Sequence, residues 1–162
     1  MKKHKLLLIG CLLPLLLQAQ GLQHVDKDSL LSLFKAKDKP RIINFWATWC
    51  KPCVEEMPYF HKADSLLNQH GTKVEFVFVS FDRMRDTTRV KQKIENAGIP
   101  GKHYIVSSQD AGLLIDAVDT AWGGSLPATW FVFEQLKFAH LDAFEQFDDL
   151  MRFIEAILNQ KE

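Results

Sequence analysis

Residues 44–58 read NFWATWCKPCVEEMP, with two thiols, Cys50 and Cys53, three positions apart at the centre. On the N-terminal side, Arg41 to Ala47 (RIINFWA) is an apolar run following Pro40. Such a run fits a strand buried on both faces of a parallel sheet. On the C-terminal side, Pro52 to His70 carries Cys53, Met57, Phe60, Ala63, Leu66 and Leu67 at helical spacing. Pro58 is expected to kink that helix and Gly71 to end it. The thiols therefore stand where a buried strand turns into a helix.

Two cysteines so placed could close a structural bridge, hold a metal or exchange electrons. A bridge stabilises by restraining a long unfolded loop, and this loop is too short to matter. Zinc asks for four ligands and finds two cysteines. Cu(I) suits soft sulfur, with Met57 and Met84 as candidate third ligands. Electron exchange is favoured by position. A helix N-terminus carries unpaired N–H groups and partial positive charge, which stabilise a thiolate by about 0.3–2 kcal/mol. Thiolate is the nucleophile in disulfide exchange. Cys50, ahead of the helix, is expected to face solvent and attack. Cys53, inside the first turn, is expected to lie against the core and resolve the mixed disulfide. Lys51 adds nearby positive charge, and Pro52 fits a helix start because its missing N–H would be unpaired there anyway.

The rest of the chain bounds this reading. Its 162 residues suit one domain. Lys+Arg and Asp+Glu each number 20, so no basic excess points to nucleic acid. The start, MKKHK followed by LLLIGCLLPLLLQA, has the layout of a secretory signal peptide ending near Gly21. Removing residues 1–21 would leave 141 residues with 17 basic against 20 acidic, a charge of −3. It would also leave Cys50 and Cys53 as the only cysteines. The rival reading of this segment is a lipobox, Leu8 to Cys11, with Cys11 as a lipid anchor.

Further along, Asp26 to Lys37 reads as a short amphipathic helix with Asp26 or Asp28 as N-cap. Lys73 to Ser80 reads as a strand, Thr87 to Ala97 as a helix, Lys102 to Ser107 as a strand and Asp110 to Val118 as a helix. Ala128 to Phe133 and Lys137 to Ala143 form a hairpin. Asp148 to Asn159 is a strongly amphipathic helix. The alternation implies an α/β domain with a mixed central sheet flanked by helices. His103 and His140 are read as structural. Arg83, Arg85 and Arg89 are read as a solvated loop and helix start. Trp46 is read as core and Trp49 as lying beside Cys50. Trp122 either flanks the site or packs inside.

The run NFWATWCKPC resembles the active-site signature of the thioredoxin superfamily. The longer pattern Cys50-x-Pro52-Cys53-x-x-Glu56-x-Pro58 resembles its exported TlpA/ResA-like branch. Gly124 to Thr129 (GSLPAT) resembles the family's cis-proline loop. The resemblance implies a thioredoxin-like fold over residues 22–162 and thiol-disulfide exchange on exported proteins, with reduction the favoured direction. It implies no cofactor beyond a redox-active Cys50–Cys53 disulfide. It makes Pro127 cis, Leu126 a partner-contacting residue and Glu56 the proton acceptor for Cys53. By itself Glu56, like Glu55, reads as a solvated helix carboxylate. Asn44 departs from cytosolic relatives, which carry a buried aspartate there, and an amide cannot take a proton. The branch's long N-terminal hairpin is not evident, and a short helix stands in its place. Expected partners are exported protein thiols or disulfides and a membrane electron donor, with the protein a periplasmic monomer. A thioredoxin-fold Cu(I) metallochaperone and a peroxidase are the alternatives.

Overall fold

A computed structural model describes residues 21–106 and 111–159. The signal-peptide and lipobox readings fall on residues 1–20, outside the described residues apart from Gly21, as do Ser107 and Asp110.

The chain runs β1 (Gln23–Val25), α1 (Lys27–Ser32), β2 (Arg41–Trp46), α2 (Lys51–Gln69), β3 (Glu75–Ser80), α3 (Thr87–Ala97), β4 (Lys102–Val106), α4 (Ala111–Val118), β5 (Ala128–Phe133), β6 (Leu136–His140) and α5 (Phe147–Leu158). A 3-10 turn, Met84–Asp86, precedes α3. The six strands form one sheet in the order β1-β4-β3-β2-β5-β6. β1, β4, β3 and β2 run parallel, while β5 is antiparallel to both β2 and β6. The expected mixed α/β sheet is what forms.

Alternation along the strands divides the core. Ile42, Trp46, Phe76, Phe78, Ile105 and Phe131 face one layer, where Met57 and Phe60 of α2 and Leu150 and Ile154 of α5 meet them. Ile43, Phe45, Val77, Val79 and Trp130 face the other, against Leu30 of α1 and Leu114 of α4. Trp122 belongs to this second core: it is 3% exposed and its ring centroid lies 4.6 Å from Trp130 and 4.8 Å from Phe45. Such aromatic pairs contribute about 0.5–1.5 kcal/mol beyond their buried area. The tryptophan therefore packs rather than flanking the thiols.

At the N-terminal ends of β2 and β3, the buried Glu75 is held by Lys102 Nζ at 2.8 Å and Arg41 Nε at 2.5 Å. Burial alone would raise its pKa; the hydrogen bonds from Lys102 and Arg41 reverse this and hold it at about 2. Gly101, at φ +80°, leads into β4 so close to β3 that a Cβ would lie 2.0 Å from the Phe76 carbonyl oxygen. Only glycine fits there.

Beyond one or two residues at the ends, four elements differ from expectation, the simplest being β6, which ends at His140 rather than Ala143. β1 is an additional edge strand, too short and exposed to leave a periodic signal. α1 begins under an Asp26 cap, whose carboxyl accepts from Ser29 N at 2.7 Å, but it ends at Ser32 rather than Lys37. The amides of Leu33, Phe34 and Lys35 each bond three residues back, which tightens the chain out of the α-helix. The helix after the thiols starts at Lys51 and runs on through Pro58, which lies on its exposed face.

Candidate active site

β2 delivers the chain to Ala47, and a three-residue turn then leads to Cys50, the N-cap of α2. Cys50 N donates to Ala47 O at 3.1 Å, and Cys50 Sγ accepts from Cys53 N at 3.3 Å. The two sulfurs form a disulfide, with the Cα atoms 5.3 Å apart. Cys53 is 1% exposed, on the inward side of the first turn. Cys50 does not face solvent as its position suggests; it is only 6% exposed. Its side chain folds back over the helix end to cap Cys53 N and join the inward sulfur. Trp49 takes the outward position and is 67% exposed. Lys51 is exposed and pairs with Glu55 at 3.4 Å, so both solvate the helix surface. Pro52 is exposed in the first turn.

One turn beyond Cys53, Glu56 is 1% exposed. Residues i and i+3 share a helical face, so its carboxyl lies on the Cys53 side. Glu56 Oε1 accepts from Asn44 Nδ2 at 3.0 Å, and Oε2 accepts from Phe144 N at 2.9 Å. Asn44 Nδ2 also donates to Thr129 Oγ1 at 3.0 Å, tying β2, α2 and β5 together under the thiols. Desolvation raises the Glu56 pKa to about 7; the bonds from Phe144 and Asn44 oppose the rise, and the Asp142 charge adds to it. A carboxyl poised there can hold or release a proton at neutral pH. It is a buried group, not a solvated one like Glu55.

The Leu126–Pro127 peptide is cis. Ala128 pairs with Phe45 in the antiparallel β2–β5 ladder, so Pro127 stands at the sheet end where β2 runs into the cysteine turn. Leu126 is half-buried and packs against both core layers, including the one that holds Cys50 and Cys53. His103 lies away from this cluster, stacked on Phe78 at 5.7 Å, with burial lowering its pKa to about 4. His140 stacks on Phe144 at 4.2 Å. Met57 is core, and exposed Met84 meets His24 Nδ1 at 3.3 Å.

One anchor carried no sequence signal. Asp82, 2% exposed, accepts from Thr48 N at 2.8 Å, Thr48 Oγ1 at 2.5 Å and Ser80 Oγ at 2.8 Å. It fixes the turn two residues before Cys50 from the end of β3. Asp82→Ala would leave the buried Ser80 hydroxyl and the part-buried Thr48 donors without this partner, an unsatisfied buried donor costing about 1–3 kcal/mol. We expect a stability loss of about 2 kcal/mol in chemical denaturation, with faster hydrogen exchange at the Thr48 amide. Unchanged protection at Thr48 would show that Asp82 does not hold the turn.

Residues 20–133 match the Redoxin family. The chain belongs to the Redoxin family. Within it, 97 residues are 30% identical to the thiol-disulfide oxidoreductase ResA of Geobacillus thermodenitrificans, covering 59% of this chain and 49% of that one. A 50-residue stretch is 48% identical to the thioredoxin-like protein YneN of Bacillus subtilis, covering 31% and 28%. These matches span half or less of the relatives' own length. In fold, the redoxin resembles a secreted Mycobacterium tuberculosis disulfide oxidoreductase homologous to E. coli DsbE, with a TM-score of 0.60 at 19% identity over 78% of this chain and 85% of that one. The thioredoxin domain of a Bacteroides vulgatus thiol-disulfide oxidoreductase gives 0.60 at 22% identity, covering 78% and 83%. The thioredoxin-like architecture expected from the sequence is thereby established.

Proposed function

We propose that this redoxin catalyses thiol-disulfide exchange on exported proteins, running as a reductant. The reading is carried by one observation: a disulfide between an N-cap cysteine and an inward cysteine, with the buried carboxyl of Glu56 one turn away. In the reduced protein, the Cys50 thiolate attacks one sulfur of a partner disulfide. A Cys50–partner bond forms, and the partner's other sulfur leaves as thiolate and takes a proton. Cys53 then gives its proton to Glu56 and attacks Cys50 Sγ. The mixed disulfide breaks, the second partner thiolate leaves, and the Cys50–Cys53 disulfide closes. The partner has gained two electrons and two protons, and a dithiol donor must return them. Leu126 and the cis Pro127 would hold the partner chain beside Cys50.

A membrane-bound dithiol donor and exported thiol proteins as partners agree with the signal-like N-terminus and with the secreted structural relative. Among the described residues no helix is long and apolar enough to cross a membrane. We take the protein to act as a periplasmic monomer.

The reduced wild-type protein should turn over a disulfide-bonded protein substrate, and Cys50→Ser should abolish this. Stoichiometric, tight Cu(I) retention without turnover would replace the reading with a metallochaperone. A redox potential near about −120 mV, that of a strong oxidant, would reverse the direction.

A further inference from the structure

The sheet order places four chain segments side by side at the end that carries the thiols. β3 leads to Asp82 and the arginine-rich turn, β2 to Trp49 and Cys50, cis Pro127 enters β5, and β6 leads out to Leu141 and Asp142. Three of the four large apolar side chains exposed among the described residues lie along this end: Met84 at 39%, Trp49 at 67% and Leu141 at 41%.

Charge changes sign along the same row. On the β3 side Arg83, Arg85 and Arg89 are all exposed, and none forms an ion pair within the described residues. Asp86 is the only other charged side chain between Arg83 and Arg89, and the neighbouring Asp82 is buried against Thr48. On the β6 side stand Asp142, close enough to act on Glu56, and exposed Glu145. Lys51, between the flanks, is matched by Glu55.

From this juxtaposition we infer that the row is a docking surface for a protein segment whose reactive cysteine is flanked on one side by acidic residues. Those acidic residues lie over Arg83, Arg85 and Arg89, and its apolar side chains lie on Trp49 and Met84. Complementary charge raises the encounter rate and suppresses wrong partners, while exposed apolar side chains supply contact area. This specificity rests on the exchange activity proposed above, but the surface can be tested apart from it.

Two measurements do so. In the first, reduced protein reacts with peptides bearing one disulfide and acidic, neutral or basic flanks. The acidic peptide should react about 10-fold faster than the basic one at low ionic strength, and the ratio should shrink at high salt. In Arg83→Gln/Arg85→Gln protein the ratio should fall towards one, with the neutral peptide unaffected. In the second, a labelled acidic peptide without cysteine is titrated with oxidised protein and followed by anisotropy; its affinity should fall in the double variant. If no peptide is reduced yet acidic binding persists and depends on the arginines, the exchange reading fails and the surface stands. Equal binding of acidic and basic peptides, or preference unaltered in the double variant, overturns the surface.

Discussion

The Cys53→Ser protein is expected to accumulate a stable mixed disulfide with its partner, whereas Cys50→Ser forms none and loses turnover altogether. The asymmetry follows from position. Cys50 is the N-cap of α2, where the helix dipole favours a thiolate by about 0.3–2 kcal/mol. Cys53 lies 1% exposed one turn in, where desolvation disfavours the charged sulfur and no partner chain can reach it. Even Cys50 is only 6% exposed in the disulfide state. Once Cys50 has bonded to the partner, release requires a second sulfur at short range. With the Cα atoms 5.3 Å apart, Cys53 is, among the described residues, the one cysteine placed to supply it. Serine at 53 removes that sulfur without enlarging the side chain, so the intermediate should persist. Non-reducing electrophoresis with a disulfide-bonded substrate reads the result directly. Trapping by Cys50→Ser and not by Cys53→Ser would exchange the roles of the two thiols.

Much of this site is legible in the chain because its signals are local. The run from Arg41, the turn and the helical spacing after Pro52 lie within one stretch, and the strand-to-helix switch places the cysteines without further help. The gaps are long-range. Glu56 looks like any surface glutamate by spacing, and only the family resemblance sets it apart. What satisfies it inside the protein is the amide of Phe144, 88 residues away, and the side chain of Asn44 in β2. Asp82 reads as a loop residue because its partner Thr48 lies 34 positions earlier. Asn44 looks like a lost proton acceptor; in space it is the donor that orients the glutamate and links it to Thr129. The inward turn of Cys50 could not be read at all, since it follows from closure of the disulfide.

Glu56→Gln should slow the resolving step about 100-fold at pH 7.5, within the range for loss of a positioned general base. It should also remove the inflection near pH 7 from the pH dependence of that step. The wild-type carboxyl, raised to about 7, accepts the Cys53 proton only when ionised, so the wild-type rate climbs as pH rises through 7. Glutamine keeps the shape, but its single oxygen accepts from only one of Asn44 and Phe144 and its amide faces the other donor, so a purely structural role predicts a loss that does not depend on pH and leaves the shape of the rate profile unchanged. Stability separates the two roles further. A carboxyl whose folded pKa lies above its ordinary value near 4.5 favours the folded protein fully below that value, and the contribution is lost as pH rises through 7. Wild-type stability should therefore decline between about pH 5 and 8, and Glu56→Gln should flatten this decline while slowing exchange. A variant that is more stable at pH 8 yet slower to resolve its mixed disulfide would show that the buried charge is retained for its chemistry. If glutamine leaves both the rate profile and the stability profile unchanged, Glu56 takes no proton and Cys53 must lose its own to water.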